Sequence, residues 1–466
     1  MTTRRQVVKS GLALGAAAMA GAQFSGPARA ADTPFLTSDF GRLKKVLVHS
    51  VTPTEQAIGK RGQGLVPYAE VDRVAMARQQ AGLMDLLRAS GAEVIEVADA
   101  LASAMEATRS SGVFAAWLKA SFPRLSADPS QVTAEMILGR DASVQFNLGP
   151  DGSYVHRGPR STSTMWTRDS AFMTPQGLVM GRAATARRGQ ENMLLRFLYA
   201  HAPQLKDYPI VFDAVEEGLI IEGGDAMVAD AGTLVLGVGN RTDPRIAPVL
   251  ARRLNMDVLT VQTVEKAFLK RGPWSRSGPA GALRVLLLHL DTYFTLVGPR
   301  HGLALPFLME KAHSEDGPLA RFIRGARADT GLDVDEAEAG LAILKGFGKV
   351  ALFKAGTGKK DSLGDLKLVD YLRGEGYRLT FTGGAAEGNS DEAIFRHFMS
   401  VTYPEQRRQA TNVVQAVPGR VIAYDGNPAT RAALEADGVT VDTFEGRELW
   451  FWHGGPHCLT QPLERG

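Results

Sequence analysis

A short β-branched run, an amphipathic helical stretch and a second short run recur along this chain, and that recurrence limits the fold more than any other feature. The first example is Leu43-Lys44-Lys45-Val46-Leu47-Val48-His49, a helical pattern over residues 72–90, and Glu93-Val94-Ile95-Glu96-Val97. Runs this short and rich in Val and Ile read as strands, and the 3.6-residue spacing between them reads as a helix. The pattern returns at Gly177-Leu178-Val179-Met180-Gly181 with a helix over 191–201 and the strand Ile210-Val211-Phe212. It returns again at Thr233-Leu234-Val235-Leu236-Gly237 with a helix over 243–254 and the strand 257–261. Two less regular copies follow, one joining 285–295 to 350–353, the other running from Arg420-Val421-Ile422-Ala423-Tyr424 through a helix over 428–437 to Thr440-Val441-Asp442. About five units of modest length predict an α/β fold with internal structural repetition. Residues 101–145 carry no strand pattern and are expected to form a helical insertion packed on the repeats. Loops are expected at 356–360 and 383–389, where glycine is dense.

At 466 residues the chain is long enough to bury a core without covalent staples. Residues 1–30 read as a twin-arginine signal peptide: Arg4-Arg5 and Lys9 precede an Ala/Gly/Leu-rich stretch over 12–22, and Ala28-Arg29-Ala30 supplies an A-x-A site. That apolar stretch is well short of the roughly 20 residues needed to span a bilayer. The expectation is an exported protein, periplasmic or secreted, with the twin-arginine machinery as partner of the precursor, no stable membrane span, and residues 31–466 as the catalytic domain. Of the 53 basic residues, Arg4, Arg5, Lys9 and Arg29 lie in the leader, so the mature chain carries 49 against 50 acidic ones. With that balance, and basic residues clustered only in pairs such as Arg252-Arg253 and Arg407-Arg408, nucleic acid is not an expected partner. The single cysteine, Cys458, excludes an internal disulfide.

Four stretches place polar residues in apolar surroundings: Met165-Trp166-Thr167-Arg168-Asp169, Ile221-Glu222-Gly223-Gly224-Asp225, His289-Leu290-Asp291-Thr292-Tyr293, and His453-Gly454-Gly455-Pro456-His457-Cys458. Each alone has an ordinary explanation as a surface pair or turn. Together they form a coherent set for a planar cation. Carboxylates such as Asp169, Glu222 and Asp291 hold a guanidinium through charge-assisted, bidentate hydrogen bonds. A thiolate can then attack its central carbon, and His289 can protonate the departing amine and later activate water.

In this order and at these separations, the four stretches resemble those of the arginine deiminases, within the guanidino-modifying superfamily whose fold is the five-bladed α/β propeller, or pentein. The resemblance extends to Lys44-Lys45-Val46-Leu47-Val48-His49, Ala186-Arg187-Arg188, Gly237-Val238-Gly239-Asn240-Arg241 and Tyr424-Asp425-Gly426-Asn427. It implies hydrolytic deimination of a guanidino compound, L-arginine to L-citrulline and ammonia, through a covalent thiouronium intermediate and without a cofactor or metal. Cys458 would be the nucleophile, His289 and Glu222 the acid/base pair, and Asp169 and Asp291 the guanidinium clamps. Arg187 and Arg241 fall where the family binds the substrate α-carboxylate. Two substrate-facing positions depart from the pattern: Ser163 stands where the family usually has asparagine, and His453 where it usually has arginine.

Other readings share some of these residues. An amidinotransferase or a dimethylarginine-type hydrolase on the same fold would differ in acceptor or leaving group. A zinc site could draw on His453, His457, Cys458 and His289, although adjacent His457 and Cys458 suit one tetrahedral ion poorly and the carboxylates would have no role. A non-catalytic guanidino-binding protein would have no need of the full Cys, His and Glu set.

Overall fold

In the computed structural model, the described residues are 35–53, 72–122, 128–140, 164–185, 188–264, 289–306, 334–450 and 454–466, with short pieces between 309 and 324. The expected signal peptide, Arg187, Ser163 and His453 lie outside them.

Strand β1 (Leu43–Val48) pairs in parallel with β2 (Glu93–Glu96) across the helix Arg73–Ala89. Asp72 starts that helix by accepting the Val74 and Ala75 N–H groups, and Met76, Leu83 and Leu87 turn its apolar face inward. The next module is the hairpin β3 (Ala171–Thr174) and β4 (Gly177–Met180), then the helix Gly189–His201 and the strand β5 (Ile210–Asp213) parallel to β4. The order repeats in β6 (Ala226–Asp230), β7 (Thr233–Val238), the helix Ile246–Arg253 and β8 (Asp257–Gln262). Strands β9 (Phe294–Gly298) and β10 (His301–Ala304) open the fourth module. After β11 (Val350–Phe353) and β12 (Lys360–Asp361), the strand β13 (Arg378–Phe381) closes it in parallel with β10. The last full module is β14 (Val414–Val417), β15 (Arg420–Tyr424), the helix Pro428–Ala436 and β16 (Thr440–Phe444). Finally β17 (Gln461–Arg465) returns to pair antiparallel with β1, giving the first module its missing leading strand.

Five sheets therefore share one plan: a leading strand antiparallel to a middle strand, which is parallel to the strand after the crossover. The α/β class and the repetition are those expected. One pairing differs. The 350–353 run was expected to complete the fourth unit, but β11 joins β8 in antiparallel register, widening the third sheet to five strands. Its apolar composition marks it as a strand without saying which edge it covers. The real partner of β10 is β13, which alternates Arg378 and Thr380 with Leu379 and Phe381.

Within the stretch expected to be a helical insertion, the described residues form the helices Val97–Arg109, Val113–Ser121 and Ala134–Ile137 and the 3-10 turn Pro129–Gln131. Helix Val97–Arg109 begins directly after β2, ahead of the expected start. Phe114 and Trp117 carry this segment onto Phe197 of the second module, with the Trp117 and Phe197 rings stacked 4.3 Å apart. Among the described residues no helix is long and apolar enough to cross a membrane.

Candidate active site

The residues with chemistry sit in the short segments that lead into the first strand of each module. Asp169 belongs to the helical turn Thr167–Ser170 before β3, and Glu222 precedes the 3-10 turn Gly223–Asp225 before β6. His289 and Asp291 begin the segment before β9, Asn412 comes just before β14, and Cys458 lies in the turn before β17. All six are buried. The lead-ins are tied to one another: the Arg168 N–H donates to the Cys458 carbonyl, and Asp225 accepts both the Leu290 N–H (2.9 Å) and the Thr242 hydroxyl (2.7 Å).

Glu222 is the most heavily hydrogen-bonded member. Its carboxylate accepts from the Ala184 N–H (2.8 Å), from Arg241 Nη1 (3.2 Å to each oxygen), from Arg188 Nη1 (3.4 Å) and from His289 Nε2 (2.7 Å). Burial alone would raise its pKa. Arg241, the bond to His289 and Arg188 outweigh that and hold it well below the usual carboxylate range. Burial likewise opposes the charged form of His289, yet Asp169 and Glu222 carry its pKa up to about 9. At neutral pH the pair is therefore imidazolium and carboxylate.

Asp169 Oδ2 accepts Arg188 Nη1 at 2.6 Å, while its Oδ1 lies 3.7 Å from His289 Nδ1 and accepts no hydrogen bond from the described residues. Gly224 makes this approach possible, because a Cβ there would stand 2.9 Å from His289 Nδ1 and 3.0 Å from Asp169 Oδ1. Asp291 is organised similarly. Its Oδ2 accepts His457 Nδ1 (2.9 Å) and the Cys458 thiol (3.2 Å), and its Oδ1 is buried with no hydrogen-bond partner among the described residues. Burial, then Asp291 and Asp169, push the Cys458 thiol well above its ordinary pKa, so the resting sulfur is S–H.

The structure thus brings together Cys458, His289, Glu222, Asp169, Asp291 and Arg241. Arg241 meets Glu222, where the resemblance had set it against the substrate carboxylate. Three neighbours were not given these places by the sequence. Arg188 spans Asp169, Glu222 and the buried Glu191, whose pKa burial raises to about 7 against the pull of Arg188. His457 orients Asp291, and the Asn412 amide contacts both Cys458 and Asp291. The signal for Asn412 was positional: it occupies the lead-in of the fifth module, where the other four modules place their chemistry.

Asp169, Glu222 and His289 each offer a ligand atom within 4.8 Å of the others, close enough in principle to hold a metal ion. Two guanidinium groups already donate to those carboxylates, an environment that favours planar cations with N–H donors over a divalent ion. The grouping expected for zinc is not assembled among the described residues, since His457 is held by Asp291 and His289 by Glu222.

The arginine deiminase family model matches residues 159–313 and 400–465, segments that contain every residue of this site. The chain is 24% identical to the arginine deiminase of Rhodococcus opacus over 457 residues, covering 92% of this chain and 96% of that one. It is 26% identical to the arginine deiminase of Mycobacterium marinum over 454 residues, covering 92% and 97%. Along most of its length the chain is similar in sequence to these arginine deiminases. Among solved structures, a Pseudomonas aeruginosa DDAH in complex with citrulline aligns over 90% of this chain and 99% of that one, with a TM-score of 0.44 and 12% identity. The segments matched by the family model are also the ones that supply the leading strands β3, β6, β9, β14 and β17.

Proposed function

We propose that the protein hydrolyses the guanidino group of a free amino acid, L-arginine foremost, to the ureido product and ammonia, with Cys458 as covalent nucleophile. The observation that carries this reading is the pair of buried carboxylate oxygens, Asp169 Oδ1 and Asp291 Oδ1, that accept no hydrogen bond from the described residues beside a thiol and an imidazolium. A guanidinium brings a rigid plane of N–H donors and the positive charge those carboxylates favour.

Binding that cation beside Cys458 lowers the cost of ionising the thiol, whose S–H is already directed at Asp291 Oδ2. The thiol proton is released to solvent as the cation binds, and the sulfur adds to the guanidinium carbon. His289 gives its proton to one amino group, which leaves as ammonia, and a thiouronium remains on Cys458. The neutral imidazole then takes a proton from water, hydroxide adds to the same carbon, the carbon–sulfur bond breaks to expel the thiolate, and the hydroxyl proton of the adduct passes to the sulfur, leaving the thiol and the ureido product. Glu222 holds His289 in place and stabilises its charged form throughout.

The test is ammonia release from a panel of guanidino compounds. The parent should turn over arginine, and Cys458→Ala should fall by several orders of magnitude while still binding it. Arginine should outpace agmatine, which lacks the carboxylate that Arg187 and Arg241 would meet; equal rates would remove that assignment. An alkylamine or a transferred amidino group among the products would replace deimination with another reaction. The reading also places the mature chain outside the cytoplasm, supported by the paired arginines and A-x-A site of the first thirty residues. A precursor carrying Arg4→Lys and Arg5→Lys should stay in the cytoplasmic fraction.

A further inference from the structure

The Asn412 side chain touches the reacting sulfur, and no role has yet been given to it. It is fully buried, and all three of its polar contacts go to the nucleophile and its neighbour. Oδ1 accepts the Cys458 backbone N–H at 3.1 Å, while Nδ2 donates to Cys458 Sγ at 3.1 Å and to the Asp291 carbonyl at 3.0 Å. The orientation of the amide is fixed by this set. Turned over, it would set its oxygen against a carbonyl and its NH2 against an N–H. Gly455 allows the approach, since a Cβ there would stand 2.4 Å from the Asn412 carbonyl oxygen and 2.6 Å from Oδ1.

We propose that Asn412 is a catalytic residue that stabilises the Cys458 thiolate by donating Nδ2–H to the sulfur while fixing the position of the nucleophile through the Cys458 N–H. The inference rests on Cys458 being the nucleophile. Its force comes from what else surrounds that sulfur. Burial and the carboxylates of Asp291 and Asp169 all oppose negative charge there, and the Gly455 backbone N–H favours it. Anionic sulfur arises twice per turnover, when it attacks and when it is expelled from the second tetrahedral adduct. A hydrogen bond to a charged acceptor is roughly twice as strong as a neutral one, so the Nδ2 donor is worth more to the thiolate than to the thiol. Removing one preorganised donor from a developing anion commonly costs about 10²–10³ in kcat, and the softer sulfur sets the expectation here at about 10–10².

Asn412 faces Sγ and the Asp291 backbone, and does not contact the carboxylate oxygens proposed to hold substrate. Asn412→Ala should therefore lower kcat for arginine about 10- to 100-fold and change KM by less than about threefold. The thiol is read directly by alkylation of the full-length protein with chloroacetamidine, a planar amidinium electrophile, with added mass located on the single cysteine. The second-order rate constant plotted against pH should have its inflection about one pH unit higher in Asn412→Ala than in the parent, a tenfold smaller thiolate fraction. Asn412→Asp keeps the side-chain shape and the acceptor for the Cys458 N–H, and is read in place of the alanine variant if that variant does not fold. It reverses the donor end, so its alkylation should be slower still at every pH above neutrality. A folded variant whose alkylation profile superimposes on the parent's, or whose loss lies in KM alone, would overturn the proposal. Ammonia release that survives in Cys458→Ala would instead remove the nucleophile assignment on which the proposal rests, and the two failures are read in separate assays.

Discussion

His289 and Glu222 form an ion pair with almost no solvent access, a geometry in which removing one partner costs far more than the pair contributes, about 3–5 kcal/mol in comparable sites. Glu222→Gln keeps the shape and removes the charge. Without that carboxylate the His289 pKa should fall from about 9, so that less of the general acid is protonated at pH 8. The basic limb of the kcat–pH profile should then move to lower pH in Glu222→Gln, and an unmoved limb would mean that another group controls it. The stability signs follow from the same shifts. A histidine raised from near 6.5 to about 9 contributes stability that is complete below about pH 6.5 and lost as pH rises toward 9. Asp225 has the opposite shift for its type, since burial raises it to about 7 against the Thr242 and Leu290 hydrogen bonds. Between about pH 4 and 7 its folded form holds a proton that the unfolded form has lost. Each unit of rising pH in that window therefore costs the folded state at most about 1.4 kcal/mol at this residue. Asp225→Asn, which can keep both hydrogen bonds, should match the parent below pH 4 and be more stable at pH 8, as read from urea midpoints at several pH values.

At the scale of elements, each functional side chain is presented by a turn of three or four residues entering a buried strand, so its position depends on close backbone packing. Gly224→Ala tests that dependence. The new methyl group would press on His289 Nδ1 and Asp169 Oδ1, the far ends of two side chains, and leave the turn's own conformation allowed. The variant should fold with a near-parent urea midpoint but lose about 10²-fold in kcat, the usual cost of an ångström of misplacement. A midpoint collapse would mean that the turn carries stability more than placement. The middle and third strands were legible in the sequence because runs such as Thr233-Leu234-Val235-Leu236 and Asp257-Val258-Leu259-Thr260 are β-branched, apolar and separated by a helical period. Most leading strands were not. Val414-Gln415-Ala416-Val417 is too short to show a period, and Gln461-Pro462-Leu463-Glu464-Arg465 carries a proline and two charges, yet Leu463 and Arg465 are buried in the closed structure. Asp169, Glu222, His289, Asp291 and Cys458 stood out because polar side chains interrupt apolar surroundings. Asn412 did not, because Thr411 and Asn412 look like an ordinary turn until the strand behind them is known.

At the scale of the whole molecule, the decisive contact joins the two ends of the described chain. Arg42 and Gly466 exchange backbone hydrogen bonds of 3.0 Å, the Arg465 N–H donates to the Phe35 carbonyl at 2.9 Å, and β17 lies on β1 from Leu43 to Leu47. The first module is therefore assembled from both ends of the sequence, and the turn that carries Cys458 is anchored by it. Removing 461–466 should leave β1 without its antiparallel neighbour, strip Leu463 from the core and release Cys458, the proposed nucleophile, so that truncated protein neither folds stably nor releases ammonia from arginine. A permuted chain separates the need for this strand from the need for a particular order. Residue 466 would be joined to residue 35 by a short Gly/Ser linker, and new ends opened between Glu387 and Gly388, in a largely exposed stretch between β13 and the helix Asp391–His397. The β17–β1 pairing is the one described sheet pairing that joins residues on either side of that cut, and it changes from one of the longest-range in the chain to a local hairpin, which lowers the entropic cost of forming it. The permuted protein should refold faster than a 35–466 parent, keep its unfolding free energy from urea titration within about 1–2 kcal/mol, and retain kcat and KM for arginine within about threefold. A permuted protein that folds to the same stability but is inactive would show that chain ends, and not the β17–β1 pairing, position Cys458; one that does not fold would show that the fourth and fifth modules must be continuous through 387–388.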